Sequence, residues 1–97
     1  MTKILLIHGP NLNQLGKRDP AHYGSLTLPE LEAQLHKRAE ELGYELECFQ
    51  SNHEGSLIDW IQEKSGNAVG ILINPGSLTH SSYALHDSLV DSGVPCV

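Results

Sequence analysis

The sequence predicts an α/β fold, a doubly wound parallel sheet with helices on both faces and its strands ordered 2-1-3-4. Three observations carry the prediction. Strand-like apolar runs at Lys3–Ile7 and Ala68–Ile73 alternate along the chain with stretches of helical periodicity. Their apolar positions are consecutive, as in strands buried on both faces, whereas Tyr44–Gln50 alternates Glu45 and Glu47 with Leu46 and Cys48 and so belongs at a sheet edge. Both consecutive runs stop abruptly, in His8-Gly9-Pro10 and Asn74-Pro75-Gly76, residues that cannot continue a ladder. Repeated strand, helix, strand order of this kind gives right-handed βαβ units.

The first strand leads into a polar segment that lasts until about Leu28. A connection of that length is uncommon in a compact domain unless it works as a lid or binding loop, and this one carries Asn11, Asn13, Lys17, Arg18, Asp19, His22 and Tyr23. Thr27-Leu28-Pro29-Glu30 then combines capping-box spacing with a proline in the first turn, and Leu31, Leu35, Ala39 and Leu42 share one face of a helix ending near Gly43. After the edge strand, Ser51 and Glu54 repeat the capping-box spacing and open a second helix, with Leu57, Ile58 and Ile61 as its buried stripe and Gly66-Asn67 as its end. Beyond starting that helix, Ser51-Asn52-His53-Glu54-Gly55 has no role legible in the sequence. Ala68–Ile73 reads as a central strand. A third helix runs from about Ser81 to Asp91, capped by Ser77, Thr79 or Ser81 and closed by Gly93, and Val94–Val97 begins another buried strand. Residues 1–97 form one expected domain. It looks truncated at its C-terminus, because a parallel strand with no helix after it leaves an apolar edge uncovered.

An apolar fraction of 39% in 97 residues supports a real but small core and leaves no room for two domains. A formal net charge of −6 argues against nucleic acid or an anionic membrane as partner, since both reward basic surfaces. An anionic small substrate then needs locally placed cations, and Lys17-Arg18 is the adjacent basic pair outside a predicted helix. Cys48 and Cys96 both lie in strand-like apolar stretches, the pattern of small buried hydrophobes in a reducing compartment, so the chain is expected to be soluble and cytoplasmic. No zinc spacing, signal peptide or membrane-length apolar run is present, and no cofactor is expected. The segment GPNLNQLG lacks both the G-x-G-x-x-G spacing and the Walker lysine, which removes positive support for nucleotide binding.

In parallel sheets ligands gather outside the carboxyl ends of the strands, where the strand order reverses. An edge position for the second strand makes the junctions after Ile7 and Ile73 neighbours across that switch point. In the first junction, Tyr23 admits two readings. It packs its ring on the loop with its hydroxyl in water, or it acts as a general base whose charged form a nearby guanidinium stabilises. The second requires a phenol pKa to fall by about 3, worth about 4 kcal/mol, most of which one partly desolvated arginine such as Arg18 can supply. Arg18 is otherwise a solvated surface cation, and Asn11 and Asn13 otherwise satisfy their own loop backbone.

The second junction, Asn74 to Ser82, leads into a helix N-terminus, where free backbone N–H groups favour anions and oxygen-rich ligands. Pro75-Gly76 as a turn and a hydroxyl as a cap explain most of it, but not His80. A histidine in the first helical turn is disfavoured as a cation, so His80 is expected to be neutral, as a hydrogen-bonding group or simply as structure. Asp87, about two turns on, reads as a solvent-facing helix residue. His36, His53 and His86 have no partner visible in the sequence.

The stretches HGPNLNQLGKRDPAHYG, QSNHEGSLIDWI and INPGSLTHSSYALHD, in this order and spacing, closely resemble type II 3-dehydroquinate dehydratase, and the resemblance covers essentially the whole chain. It implies a flavodoxin-like fold and removal of a C2 proton from 3-dehydroquinate to give an enolate, followed by loss of the C1 hydroxyl as water. No metal or Schiff base takes part. Residue by residue, it implies that Tyr23 accepts the proton, that Arg18 activates Tyr23 and stabilises the transition state, and that Asn11 holds an ordered water near the enolate oxygen. Asn74 and His80 become ligands of substrate hydroxyls. Asp87 resembles the residue that reaches a neighbouring subunit's site in the family's trimers, four of which assemble into a homo-oligomeric dodecamer, and the loop from about Leu12 to Tyr23 becomes a lid.

In the family the strand begun by Val94–Val97 continues into a segment with the general-acid histidine, the backbone that grips the substrate carboxylate and a second arginine, then a last strand and helix. None of these is in the sequence. The resemblance therefore implies the base half of a site, with weak binding and poor turnover expected of a polypeptide ending at Val97. A non-catalytic flavodoxin-like module retaining part of the substrate site is the alternative. Flavin or phosphate binding at Ser77–Ser82 rests on fold analogy alone.

Overall fold

The computed structural model describes residues 2–97, the side chain of Tyr23 excepted. Three strands, β1 (Thr2–His8), β2 (Tyr44–Gln50) and β3 (Ala68–Asn74), form a sheet in the order β2-β1-β3. All pairings are parallel. Residues 95–97 lie along the other side of β3, where Ile71 N donates to Pro95 O and Val97 N donates to Ile71 O, both at 2.9 Å. The order 2-1-3-4 is thus realised, with β2 at one edge and β3 inside. Helices α1 (Pro20–Tyr23), α2 (Leu28–Glu41), α3 (Glu54–Lys64) and α4 (Tyr83–Ser92) connect the strands.

The period of two in the strands divides the molecule into layers. Leu5 and Ile7 of β1 and Ile71 of β3 point to one face, where they pack with Leu57 and Ile61 of α3 and Leu85 of α4. Complete burial of each such side chain stabilises by about 1.5–3 kcal/mol. Phe49 of β2 joins this layer by stacking on Trp60, with ring centroids 5.0 Å apart and planes 8° from parallel. On the opposite face Leu6 and Leu46 are buried where α2 lies over the sheet.

Helix α2 begins as expected. Thr27 Oγ1 accepts from Glu30 N, and Glu30 Oε1 accepts from Thr27 N at 3.0 Å, completing the capping box. Several other expectations need correction. Ser51 and Glu54 form no capping box: Ser51 Oγ accepts from His53 N at 3.0 Å, His53 is the N-cap residue, and Glu54 instead accepts a hydrogen bond from Ser82 Oγ, the N-cap residue of α4. Helix α4 starts at Tyr83, because Ser82, not Ser77, Thr79 or Ser81, caps it by accepting from Leu85 N at 2.9 Å. His80 therefore ends a 3₁₀ segment, Gly76–His80, and does not sit in the first turn of an α-helix.

Leu42 caps α2 and is 57% exposed, outside the stripe assigned to it. Val69 and Leu72 are also exposed, since α2 covers β2 more than β3 and Val69 stands at the start of its strand. Cys96 is exposed as well, unlike the half-buried Cys48.

Candidate active site

Strands β1 and β3 finish side by side, with His8 opposite Asn74. Gly9 N donates to Asn74 O at 2.8 Å, carrying the pairing one residue past the sheet. From there the two loops stay in backbone contact. A Cβ on Gly9 would stand 2.4 Å from Pro75 O, and one on Gly76, whose φ of +61° already favours glycine, would stand 3.0 Å from Pro10 O. Above this seam opens a cleft of about 440 Å³, lined by Pro10, Asn11, Leu12, Leu15 and Arg18 from the first loop, Leu31 from α2, and Asn74, Gly76, Ser77 and His80 from the second.

The first loop is more ordered than its composition suggests. Among the described residues Asn11 is the one non-glycine with positive φ, at +71°, and Asn is among the side chains that tolerate this region best. Its carbonyl accepts from Gln14 N at 3.0 Å, its own N–H donates to Asn52 Oδ1 at 2.9 Å, and a 3₁₀ turn over Leu12–Gln14 buries Leu12. Further on, Asp19 caps α1 by accepting from Ala21 N, with Pro20 at the first helical position. His22 Nδ1 lies 2.8 Å from the other Asp19 oxygen, and this contact, reinforced by the Ala21 N–H, holds the Asp19 carboxyl below its ordinary range. Tyr23 is the last residue of α1, and its side chain lies outside the described residues.

Four of the residues singled out in the sequence, Asn11, Arg18, Asn74 and His80, come together in this cleft. Arg18 is half-buried there and His80 is exposed. Asn74 Oδ1 accepts from Gly76 N at 3.1 Å, which shapes the turn and makes the NH2 group what Asn74 can offer a ligand. Asp87 is apart from them, on the exposed side of α4, with its carboxylate 78% exposed and 4.0 Å from His86 Nδ1. His36, unpartnered in the sequence, meets Cys48 at 3.5 Å.

Sequence reasoning missed the apolar wall of Leu12, Leu15 and Leu31, and the bracket formed by Gln50 and Asn52. Gln50 Nε2 donates to Gly9 O and to Asn52 Oδ1, both at 3.2 Å. The Asp19-Pro20 pair was the available signal for α1. Among the described residues no three His, Cys, Asp or Glu side chains cluster as metal ligands would, and no helix is long and apolar enough to cross a membrane.

A half-buried guanidinium, two carboxamides and an imidazole over an apolar wall suit a small, oxygen-rich anion. Sheet order and cleft position define a flavodoxin-like α/β protein with its binding cleft at the switch point. The family model described as Dehydroquinase class II matches residues 2–97, and the chain belongs to that family. It is 50% identical over 97 residues to a 3-dehydroquinate dehydratase of Halalkalibacterium halodurans, covering 100% of this chain and 67% of that relative. It is 55% identical over 94 residues to a catabolic 3-dehydroquinase of Aspergillus clavatus, covering 97% of this chain and 63% of that one. The crystal structure of a type II dehydroquinase from Butyrivibrio crossotus superposes with a TM-score of 0.92 at 45% identity, over 97% of this chain and 66% of that one. The chain thus spans about two thirds of the length of the relatives it matches.

Proposed function

We propose that the cleft binds 3-dehydroquinate and serves its dehydration to 3-dehydroshikimate. The observation that carries this reading is the convergence of Asn11, Arg18, Asn74 and His80 on one cleft at the carboxyl ends of β1 and β3 in a dehydroquinase-family chain.

In the proposed reaction the ionised phenol of Tyr23 takes the C2 proton, and the electron pair left behind forms the enolate. Arg18 stabilises both the phenolate and the developing enolate charge, while Asn11 holds a water against the enolate oxygen. Reformation of the carbonyl expels the C1 hydroxyl, which leaves as water once protonated, and no residue of this chain is assigned as that acid. Asn74 and His80 bind the substrate's hydroxyls, the carboxamide by donating its NH2 hydrogens. The loop from Leu12 to Tyr23 closes over the bound substrate. Asp87, exposed on α4, reaches a neighbouring subunit's site in a trimer, four of which make a dodecamer. We read residues 1–97 as belonging to a single flavodoxin-like domain and the compartment as the cytoplasm, on the free thiols of Cys48 and Cys96.

A steady-state assay of 3-dehydroquinate dehydration, with Tyr23→Phe alongside, tests the reading. Slow turnover that disappears in the variant is the expected result. Turnover equal in both proteins would rule out Tyr23 as the base, and absence of both turnover and binding would sink the reading itself.

A further inference from the structure

We propose that Asn52 is a positioning residue for this site, acting through Asn11. The inference rests on the cleft being a 3-dehydroquinate site and goes beyond it, because Asn52 does not line the cleft.

Asn11 occupies left-handed backbone space, which asparagine tolerates better than most L-residues but still at a cost that its surroundings must offset. Two hydrogen bonds hold it. One is local, from Gln14 N to Asn11 O, and belongs to the 3₁₀ turn that follows. The other is remote: Asn11 N donates to Asn52 Oδ1 at 2.9 Å across 41 positions of sequence. Asn52 Oδ1 accepts as well from Gln50 Nε2, which also donates to Gly9 O. Gln50 at the end of β2 and Asn52 just after it thus brace the loop that follows β1 at two points, Gly9 and Asn11.

What the brace sets is direction. With φ at +71° and ψ at −3°, the Cα–Cβ bond of Asn11 has one orientation relative to the sheet, and in that orientation Asn11 lines the cleft. Without the Asn52 acceptor, the Asn11 N–H turns to water and the residue can relax toward ordinary φ, swinging its carboxamide away. The requirement on residue 52 is an acceptor oxygen at that place. Asn52→Asp keeps one and Asn52→Ala removes it.

Amide hydrogen exchange and 3-dehydroquinate titration, both followed by NMR on the wild type and the two variants, test the proposal. In Asn52→Ala the Asn11 N–H exchanges about tenfold faster or more while the core amides of Ile7 and Ile71 keep their protection, and 3-dehydroquinate binds about tenfold more weakly by its effect on the Asn11 carboxamide resonances. Asn52→Asp restores both. Unchanged Asn11 exchange in Asn52→Ala overturns the proposal, as does an Asn52→Asp variant that behaves like Asn52→Ala, or loss of protection throughout the core in both, which marks a merely structural role. Wild-type resonances that ignore 3-dehydroquinate defeat the functional reading, and the positioning role with it. That failure is told apart from failure of the brace because exchange is measured without ligand.

Discussion

His8 and Glu32 face each other across the contact of β1 with α2 without completing a hydrogen bond. Nε2 and Oε2 are 3.6 Å apart, the imidazole is only 3% exposed, and Nε2 has no other partner among the described residues. Burial pushes the His8 pKa below its ordinary 6.5, and the Glu32 carboxylate only partly offsets this. In the unfolded chain the imidazole binds its proton near 6.5, so between that pH and the lower folded value the unfolded state carries more protons. Stability therefore falls as pH drops below about 6.5. Urea unfolding at pH 7.5 and 5.5 should show this loss in the wild type and a smaller one in His8→Gln. Equal losses in the two proteins would acquit His8.

The seam between the loops leaves no room at Gly9, where a methyl group would collide with the Pro75 carbonyl. Gly9→Ala should destabilise by about 1–3 kcal/mol, the range for overpacking a tight site. Because backbone meets backbone here, side-chain rearrangement cannot relieve the clash. The same variant should weaken ligand binding at the cleft, as measured by calorimetry, since the seam is its floor.

The Thr27–Glu30 box is a local device, and its removal should be local in effect. Thr27→Ala should cost about 1 kcal/mol in chemical denaturation, whereas Thr27→Ser should cost little. Helix α2 carries Glu32 and Leu31 to the sheet and the cleft, so fraying at its first turn should also quicken amide exchange there.

Thiol reactivity should separate the two cysteines. Burial, with the carboxylates of Glu32 and Glu47 adding to it, pushes the Cys48 thiol up to about 12, and His36 stands beside it. A thiol that is almost wholly protonated at pH 8 reacts slowly. Burial raises the Cys96 thiol as well, but Cys96 is exposed, so a disulfide reagent at pH 8 should modify it first and reach Cys48 only as the protein unfolds. Prompt modification of both in the native protein would contradict this assignment.

Strand order and cleft position were legible in the sequence because they follow from local patterns that tertiary structure did not override. Consecutive apolar residues marked β1 and β3, alternation marked β2 as an edge, and their junctions became neighbours as parallel topology requires. What escaped was set by long-range partners. Ser51 and Glu54 have capping-box spacing, yet Glu54 is engaged by Ser82 from α4, and that same hydroxyl fixes the start of α4 after the 3₁₀ segment that ends in His80. The function of Asn52 was hidden for the same reason, since its partner Asn11 lies in another loop. Leu42 and Val69 matched the apolar periodicity but are exposed, Leu42 as the C-cap of α2 and Val69 near the start of β3.

The two loops that floor the cleft are remote in sequence and become neighbours only when β1 and β3 pair. No unfolded or partly paired chain offers this surface, so by mass action a ligand of the cleft draws population toward the assembled sheet. A compound present at a hundred times its dissociation constant would raise global stability by about 2.7 kcal/mol. Heat resistance in the presence of candidate compounds therefore becomes an assay in its own right, able to sort a chemical library for occupants of this cleft with no reaction to follow.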